Sequence, residues 1–372
     1  MSIIPHRLMS CQNISDDSYV HMLALKLMFV IAVFVFGLLL VILSALGFLR
    51  HKMPQAKVTR NELPSLSLLI PARNETHTVA RALTAATALN YPKLEIIVLD
   101  DQSQDNTSEK IRSFAQDGVR FIKGEPLPKH WVGKNWAMQQ LSEQASGEYI
   151  LFCDVDVRLS SQGLTRFMRN VASENLAGAS IQPKLIPSSL LSAALFPFLI
   201  WSTQLLGTKH PKVHPSYGGL QLYRKDHWLQ HGGFKRYKND LLAEFMLAKN
   251  FHRIGGFKFY RNNKKIDISY VKSQKRLDQA RMRYLRTMPS TSTILFMLHT
   301  LCVVLPLLLL IYYPLLYPII VITAAMAMIN ISRYWLLSAL LLPIAAVYEL
   351  IIALSSFALA IFKPATWKSR KL

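Results

Sequence analysis

Between residues 60 and 185 short apolar runs alternate with stretches of helical spacing, and this alternation restricts the possible folds more than any other feature of the chain. Leu66-Ser67-Leu68-Leu69-Ile70, bracketed by Pro64 and Pro71, reads as a buried strand. Residues 74 to 89 follow with Val79, Leu83, Ala86 and Leu89 at helical spacing, closed by Asn90-Tyr91-Pro92. Glu95 to Leu99 is a second strand, Thr107 to Gln116 a helix stopped by Gly118, and Val119 to Ile122 a third strand. Lys134 to Gln144 is the next helix, and Gly147 ends it before the strand that runs into Asp154. The order β-α-β-α-β-α-β implies an α/β protein: a mostly parallel sheet with helices on both faces.

In such sheets ligands gather beyond the carboxyl ends of the strands. Polar clusters fall there three times: Pro71-Ala72-Arg73-Asn74-Glu75, Asp100-Asp101-Gln102-Ser103, and Asp154-Val155-Asp156. Side chains two apart in an extended segment point the same way, so Asp154 and Asp156 can present their oxygens to one side. Two anions that close repel unless a cation sits between them, and hard divalent ions prefer oxygen ligands. The competing readings are local: solvated loop aspartates, Asn74 and Asp105 as helix caps, Ser103 as a turn residue. Capping does not account for paired aspartates meeting at one edge.

The ends of the chain have a different character. Leu27 to Leu49 is uncharged and long enough to cross a bilayer as a helix. Arg50, Lys52, Lys57 and Arg60 follow it, which places the next residues on the cytoplasmic side. Thr287 to Ser332 has no Asp, Glu, Lys or Arg, and Tyr334 to Phe362 is apolar except for Glu349. The expected layout is a tail over 1–22, an anchor over 23–49, an α/β domain over 60–290, helices in or on the membrane over 291–362, and a basic tail over 363–372. Segment lengths and the charge of the tail conflict on the number of crossings, which stays open. Leu190 to Leu206 is short and Pro-broken, an interfacial segment or a buried helix. The net charge of +21 is concentrated beside the apolar runs, so anionic headgroups rather than nucleic acid are the expected partner. The three cysteines are too scattered for a disulfide framework or a metal cluster.

Ile70 to Glu75, Val98 to Thr107 and Phe152 to Val157 together resemble the inverting family-2 glycosyltransferases, which have the GT-A nucleotide-diphospho-sugar fold. The resemblance covers roughly residues 64 to 260. Leu127-Pro128-Lys129-His130-Trp131-Val132-Gly133-Lys134 is similar to a stretch of the membrane-bound branch that glycosylates carotenoid and hopanoid-type lipids. It implies a nucleotide-sugar donor, commonly a UDP-sugar, a lipid or lipid-like hydroxyl as acceptor, and residence in the cell membrane with the catalytic domain cytoplasmic. Carried over, it places Pro71, Arg73 and Glu75 at the nucleotide and Asp101, or its neighbour Asp100, at the base. Lys134 falls near the nucleotide or its phosphates and Asp154 near the ribose. Asp156, with Asp154, would hold a divalent cation (Mg²⁺ or Mn²⁺) on the diphosphate.

Where the family has an acidic pair ending in the general base, this chain has Asn239-Asp240-Leu241-Leu242-Ala243-Glu244. Glu244 is the preferred base, and Asp240, one helical turn earlier (i, i+4) and so on the same face, is the contender. Gln279-Ala280-Arg281-Met282-Arg283-Tyr284 resembles a Gln-x-x-Arg-Trp element, with Tyr284 in place of Trp. It is read as a contact to phosphate or acceptor through Gln279 and Arg281, or as a cationic helix beside the membrane. Trp131 is read as an acceptor contact or as packing. The rival functions are a processive polysaccharide synthase, a non-catalytic membrane scaffold, and a nucleic-acid-binding protein.

Overall fold

The computed structural model describes residues 20–32, 63–195, 216–261, 268–270, 317–328 and 334–362, with isolated positions elsewhere. Gln279, Arg281, Tyr284 and most of the expected anchor lie outside the described residues, as do the basic run 272–286 and most of the tail.

The alternation appears as read. β1 (Leu66–Ala72), α1 (Val79–Thr87), β2 (Leu94–Asp100), α2 (Thr107–Arg112), β3 (Val119–Lys123), α3 (Gly133–Gln144) and β4 (Tyr149–Cys153) follow in that order. β5 (Val157–Leu159), α4 (Ser161–Ser173), β6 (Gly178–Gln182), β7 (Lys184–Leu185), β8 (Leu220–Arg224) and α5 (Lys225–Gln230) come next. α6 (Ala243–Ile254), β9 (Phe257–Arg261) and β10 (Ile268–Tyr270) complete the α/β body. Seven strands form one sheet in the order β3-β2-β1-β4-β8-β6-β9, mostly parallel, with β8 antiparallel to both neighbours. β5, β10 and β7 make a small second sheet.

The strands read as unbroken apolar runs because both faces are covered. Alternate residues of the same strand enter different cores. Leu66, Leu68, Ile96, Val98 and Leu151 pack against α1 and α4 through Val79, Leu83, Leu164 and Phe167. Leu69, Ile97, Leu99, Ile150 and Phe152 face α3 and α6 through Met138, Leu141, Leu247 and Phe251. Full burial of each such side chain contributes roughly 1.5–3 kcal/mol. Phe152 anchors the second core, with ring centroids 5.2 Å from Trp228 and 5.5 Å from Phe234.

The strand order reverses direction between β1 and β4, because β2 and β3 lie on one side of β1 and β4 on the other. That is where the edge of a doubly wound sheet opens a crevice. In register, Ala72 stands opposite Asp100 and Leu69 opposite Phe152. Continuing that register places Asp154 level with Pro71, so all three polar clusters leave the sheet at one edge.

Towards the C-terminus, α7 (Tyr317–Met328), α8 (Trp335–Leu340) and α9 (Leu342–Phe362) share an apolar cluster that includes Val321, Met328, Ala339 and Leu342. Leu195 joins that cluster, while Leu190 and Leu191 at the start of the same helical segment are exposed. The segment read as interfacial or buried is therefore both, residue by residue. Among the described residues, no helix is long and apolar enough to cross a membrane.

Candidate active site

The β1–α1 and β2–α2 loops are stitched together by their polar residues. Arg73, buried, donates from its guanidinium to the carbonyl of Asp101 and, at 3.1 Å, to that of Gln102. Asn74 has a left-handed backbone (φ 50°), which Asn tolerates better than most residues. Its Oδ1 accepts from the Gln104 N–H at 2.9 Å. Asn74 is not a cap: α1 begins at Val79, with Thr78 at the capping position. Nor does Asp105 cap α2, since Asn106 holds that place and makes no side-chain cap. Asp105 instead accepts from Thr107 (N–H at 3.1 Å, hydroxyl at 2.5 Å) and from the Thr76 N–H at 3.2 Å. Desolvation works to raise its carboxyl pKa, but those hydrogen bonds prevail and hold it at about 2.

Glu75 is buried and its carboxylate accepts from the Thr78 hydroxyl. Asp100 and Asp101 part company. The Asp100 carboxylate accepts from the hydroxyls of Ser103 in its own loop and Ser108 in the first turn of α2. Asp100 thus holds its own loop against the start of α2. Asp101 is buried at the strand end, with its N–H on the Ala72 carbonyl at 2.8 Å.

Residues far apart in sequence meet at Lys134, the second residue of α3. Its ammonium lies 3.1 Å from Asp154 Oδ1 and 3.3 Å from Glu244 Oε1. It also donates to the Gly218 carbonyl at 3.1 Å. With its side chain only 13% exposed, Lys134 is not a surface helix lysine. The glycine pair before β8 makes room for this junction. A Cβ on Gly218 would sit 3.0 Å from Glu244 Oε1, and one on Gly219 would sit 3.0 Å from Asp154 Oδ2.

Asp156 is buried beside the junction, among groups that register its charge. Desolvation, then Tyr270, Asp156 and Asp154, push the Tyr217 hydroxyl well above its ordinary pKa, and burial followed by Asp156 does the same to Tyr270. The two phenol rings are 5.4 Å apart. Burial, reinforced by Asp154 and Asp156, also drives up the Cys153 thiol, which leaves it an inert core residue.

The shared-face argument for Asp240 fails. α6 starts at Ala243 with Leu242 at its cap, so Asp240 lies before the helix. Its backbone carbonyl accepts from Asn135 Nδ2 at 2.9 Å, and burial raises its carboxyl pKa. Trp131 is half-buried, packs on the second core and meets Trp136 edge to face at 5.1 Å, so packing accounts for it. Sequence reasoning missed Gln221, wholly buried on β8. Its Nε2 donates to the Glu244 carbonyl at 3.0 Å, while its Oε1 accepts from Tyr223 Oη at 3.0 Å. A lone amide inside the apolar run of Leu220 to Tyr223 was the available signal.

Residues 67–230 match the family described as Glycosyl transferase family 2. The chain carries a family-2 glycosyltransferase domain. It is 30% identical over 145 residues to a probable glycosyltransferase, YdaM, of Bacillus subtilis, covering 36% of this chain and 34% of that protein. It is 26% identical over 196 residues to 4,4'-diaponeurosporenoate glycosyltransferase of Staphylococcus haemolyticus, covering 51% of this chain and 52% of the relative. The chain therefore spans about half or less of the length of these curated relatives. Among solved structures it is similar to the mannosyltransferase PcManGT from Pyrobaculum calidifontis in complex with GDP-Man and Mn²⁺. The TM-score is 0.51 at 17% identity, covering 91% of this chain and 87% of that one. That likeness shows a shared GT-A-like fold.

The donor chemistry of the glycosyltransferase domain suits a hard cation only in part by itself. Among the described residues, no group of three or more His, Cys, Asp or Glu side chains is placed to hold a metal ion. Two aspartates suffice when the remaining ligands are phosphate oxygens and water, the usual arrangement for Mg²⁺ on a nucleotide. The expected pair is a buried Asp156 and a half-buried Asp154 two residues before it, with Asp154 also paired to Lys134.

Proposed function

We propose that this chain is a membrane-associated inverting glycosyltransferase. It moves one sugar from a nucleotide-sugar, a UDP-sugar in the first instance, to the hydroxyl of a lipid or lipid-like acceptor. The observation that carries this reading is the meeting of Asp154, Lys134 and Glu244 at the carboxyl edge of β4, beside the reversal of strand order.

In this reading the nucleotide lies over the ends of β1 and β2, against Pro71, Glu75 and Asp101, with Arg73 tying the two loops beneath it. Asp156 and Asp154 would hold a divalent ion, whose contribution when bound would be Lewis-acid neutralisation of the diphosphate leaving group. Glu244 takes the proton of the acceptor hydroxyl. The oxygen then bonds to the anomeric carbon from the face opposite the diphosphate. The bond from that carbon to the phosphate oxygen breaks, and its electron pair leaves with the nucleoside diphosphate. Inversion follows from attack on the opposite face.

Membrane association is supported by the apolar surface the described helices present to solvent. Within residues 20–32, Leu25 and Met28 are each 66% exposed, and Ile322, Ile344 and Leu354 near the other end are likewise exposed. Helices apolar on their outer faces belong in or on lipid. The likeness to a diaponeurosporenoate glycosyltransferase supports an apolar acceptor.

The test is Glu244→Gln in the full chain. Turnover of labelled nucleotide-sugar is expected to fall by about 100-fold or more, the scale of losing a general base. Mn²⁺-dependent binding of UDP is expected to persist. Near-normal turnover removes Glu244 from the role.

A further inference from the structure

We propose that Lys134 is the positioning residue for Glu244: its ammonium group fixes the carboxylate of the base relative to the cation-binding aspartates. The inference rests on the glycosyl-transfer reading above and adds a link between the two halves of the site. Asp154 belongs to the donor side, at the end of β4. Glu244 belongs to the acceptor side, in the first turn of α6. Among the described contacts, the group in reach of both is the Lys134 ammonium, 3.1 Å from the first and 3.3 Å from the second.

Three features make this more than a chance ion pair. The side chains of Lys134, Asp154 and Glu244 are only 13%, 21% and 13% exposed, so water screens the pairs less than it does on an open surface. The ammonium is also held by a main-chain acceptor, the Gly218 carbonyl, which orients its third proton. Finally, the missing side chain at Gly218 lets the Glu244 carboxylate reach the ammonium, since a Cβ there would stand 3.0 Å from Oε1. The backbone of Glu244 is fixed separately, by Gln221 on its carbonyl at 3.0 Å. Glu244 is thus held at both ends, its main chain by a buried amide and its carboxylate by a lysine that answers to the donor side. Base position is part of the barrier, because a carboxylate displaced by an ångström costs rate far more than affinity.

The measurement is a double-mutant cycle in the full chain, comparing wild type, Lys134→Met, Glu244→Gln and the double variant. Single-turnover transfer is followed at enzyme excess, using a nucleotide-sugar that the wild type consumes. Calorimetry with UDP and Mn²⁺ reports donor-side affinity in each protein. The expected result is a fall in the single-turnover rate constant of about 100-fold for Lys134→Met in the wild-type background and less than about 3-fold in the Glu244→Gln background. UDP affinity is expected to change by the same modest factor in both backgrounds, and Lys134→Arg to recover part of that rate constant because it keeps the charge. If the Glu244→Gln rate is too low to follow, Glu244→Asp serves as the second background, and the Lys134 effect is again expected to shrink. Full multiplication of the two effects overturns the proposal, since Lys134 then acts on the donor alone. Wild-type turnover by Glu244→Gln overturns the base assignment itself, a result distinguishable before the cycle is closed.

Discussion

Glu244 and Asp240 are four residues apart and sit in different surroundings. Glu244 is in the first turn of α6, its carboxylate against Lys134. Asp240 lies in the turn before that helix, tied to α3 through its own carbonyl. Asp240→Asn is therefore expected to leave transfer within about 3-fold of wild type, against the loss of about 100-fold or more for Glu244→Gln. A steady-state assay of both variants checks it, and the reverse ranking assigns the role to Asp240. Gly218→Ala offers a finer probe, because the atoms nearest its new Cβ are those of the Glu244 side chain. Folding is expected to survive, with kcat lowered about 10-fold and UDP affinity unchanged. Asp105 carries a pH signature. Its folded pKa of about 2 lies below the ordinary 3.8, so its contribution to stability is complete above about 4 and is lost as pH falls through about 2. Asp105→Asn removes that contribution, so acid unfolding monitored by circular dichroism is expected to begin at higher pH in the variant and to lose part of its dependence between pH about 4 and about 2.

At the scale of elements, β1, β2 and β4 were legible because each is a mostly apolar run ended by Pro or Asp and buried on both faces, and the half-exposed edge strand β3 because Gly118 and Gly124 bracket it. β6 and β8 carry Ser180 and Gln221 inside their apolar runs and pair antiparallel, so they lack that signature. The start of α6 was not legible either. Leu242 at its cap is not a capping residue type and makes no side-chain hydrogen bond, so the sequence offers no stop signal between Asp240 and Glu244. Helix caps were likewise over-read at Asn74 and Asp105, residues whose side chains hold neighbouring loops instead. The join between β1 and β4 gives a test of packing. Gly147 donates its N–H to Ser67 Oγ at 2.8 Å, and a Cβ there would stand 2.7 Å from the Ser67 nitrogen and 2.9 Å from the Leu66 carbonyl carbon. Backbone must move to admit it. Gly147→Ala is expected to cost about 1–3 kcal/mol, seen as a lower unfolding midpoint; an unchanged midpoint contradicts the close approach.

At the scale of the whole molecule, the α/β body meets the apolar C-terminal helices at Leu195. Leu195 packs with α7 to α9, so the segment after the small sheet is physically continuous with the C-terminal helices. The three polar clusters were readable as motifs in one order, but the meeting of Asp154 with Glu244 at Lys134 was not. Periodicity reports which residues share a face of one element, whereas Asp154, Gly218 and Glu244 come from separate elements joined only by the folded sheet. The central claim is that this junction transfers one sugar to a lipid-like hydroxyl. Its most direct test incubates membranes bearing the full chain, or its Glu244→Gln variant, with labelled nucleotide-sugars and divides the products between organic solvent and insoluble polymer. The account predicts label in the organic phase for the wild type and about 100-fold less for the variant. Label confined to insoluble polymer, or equal organic label from both proteins, contradicts it.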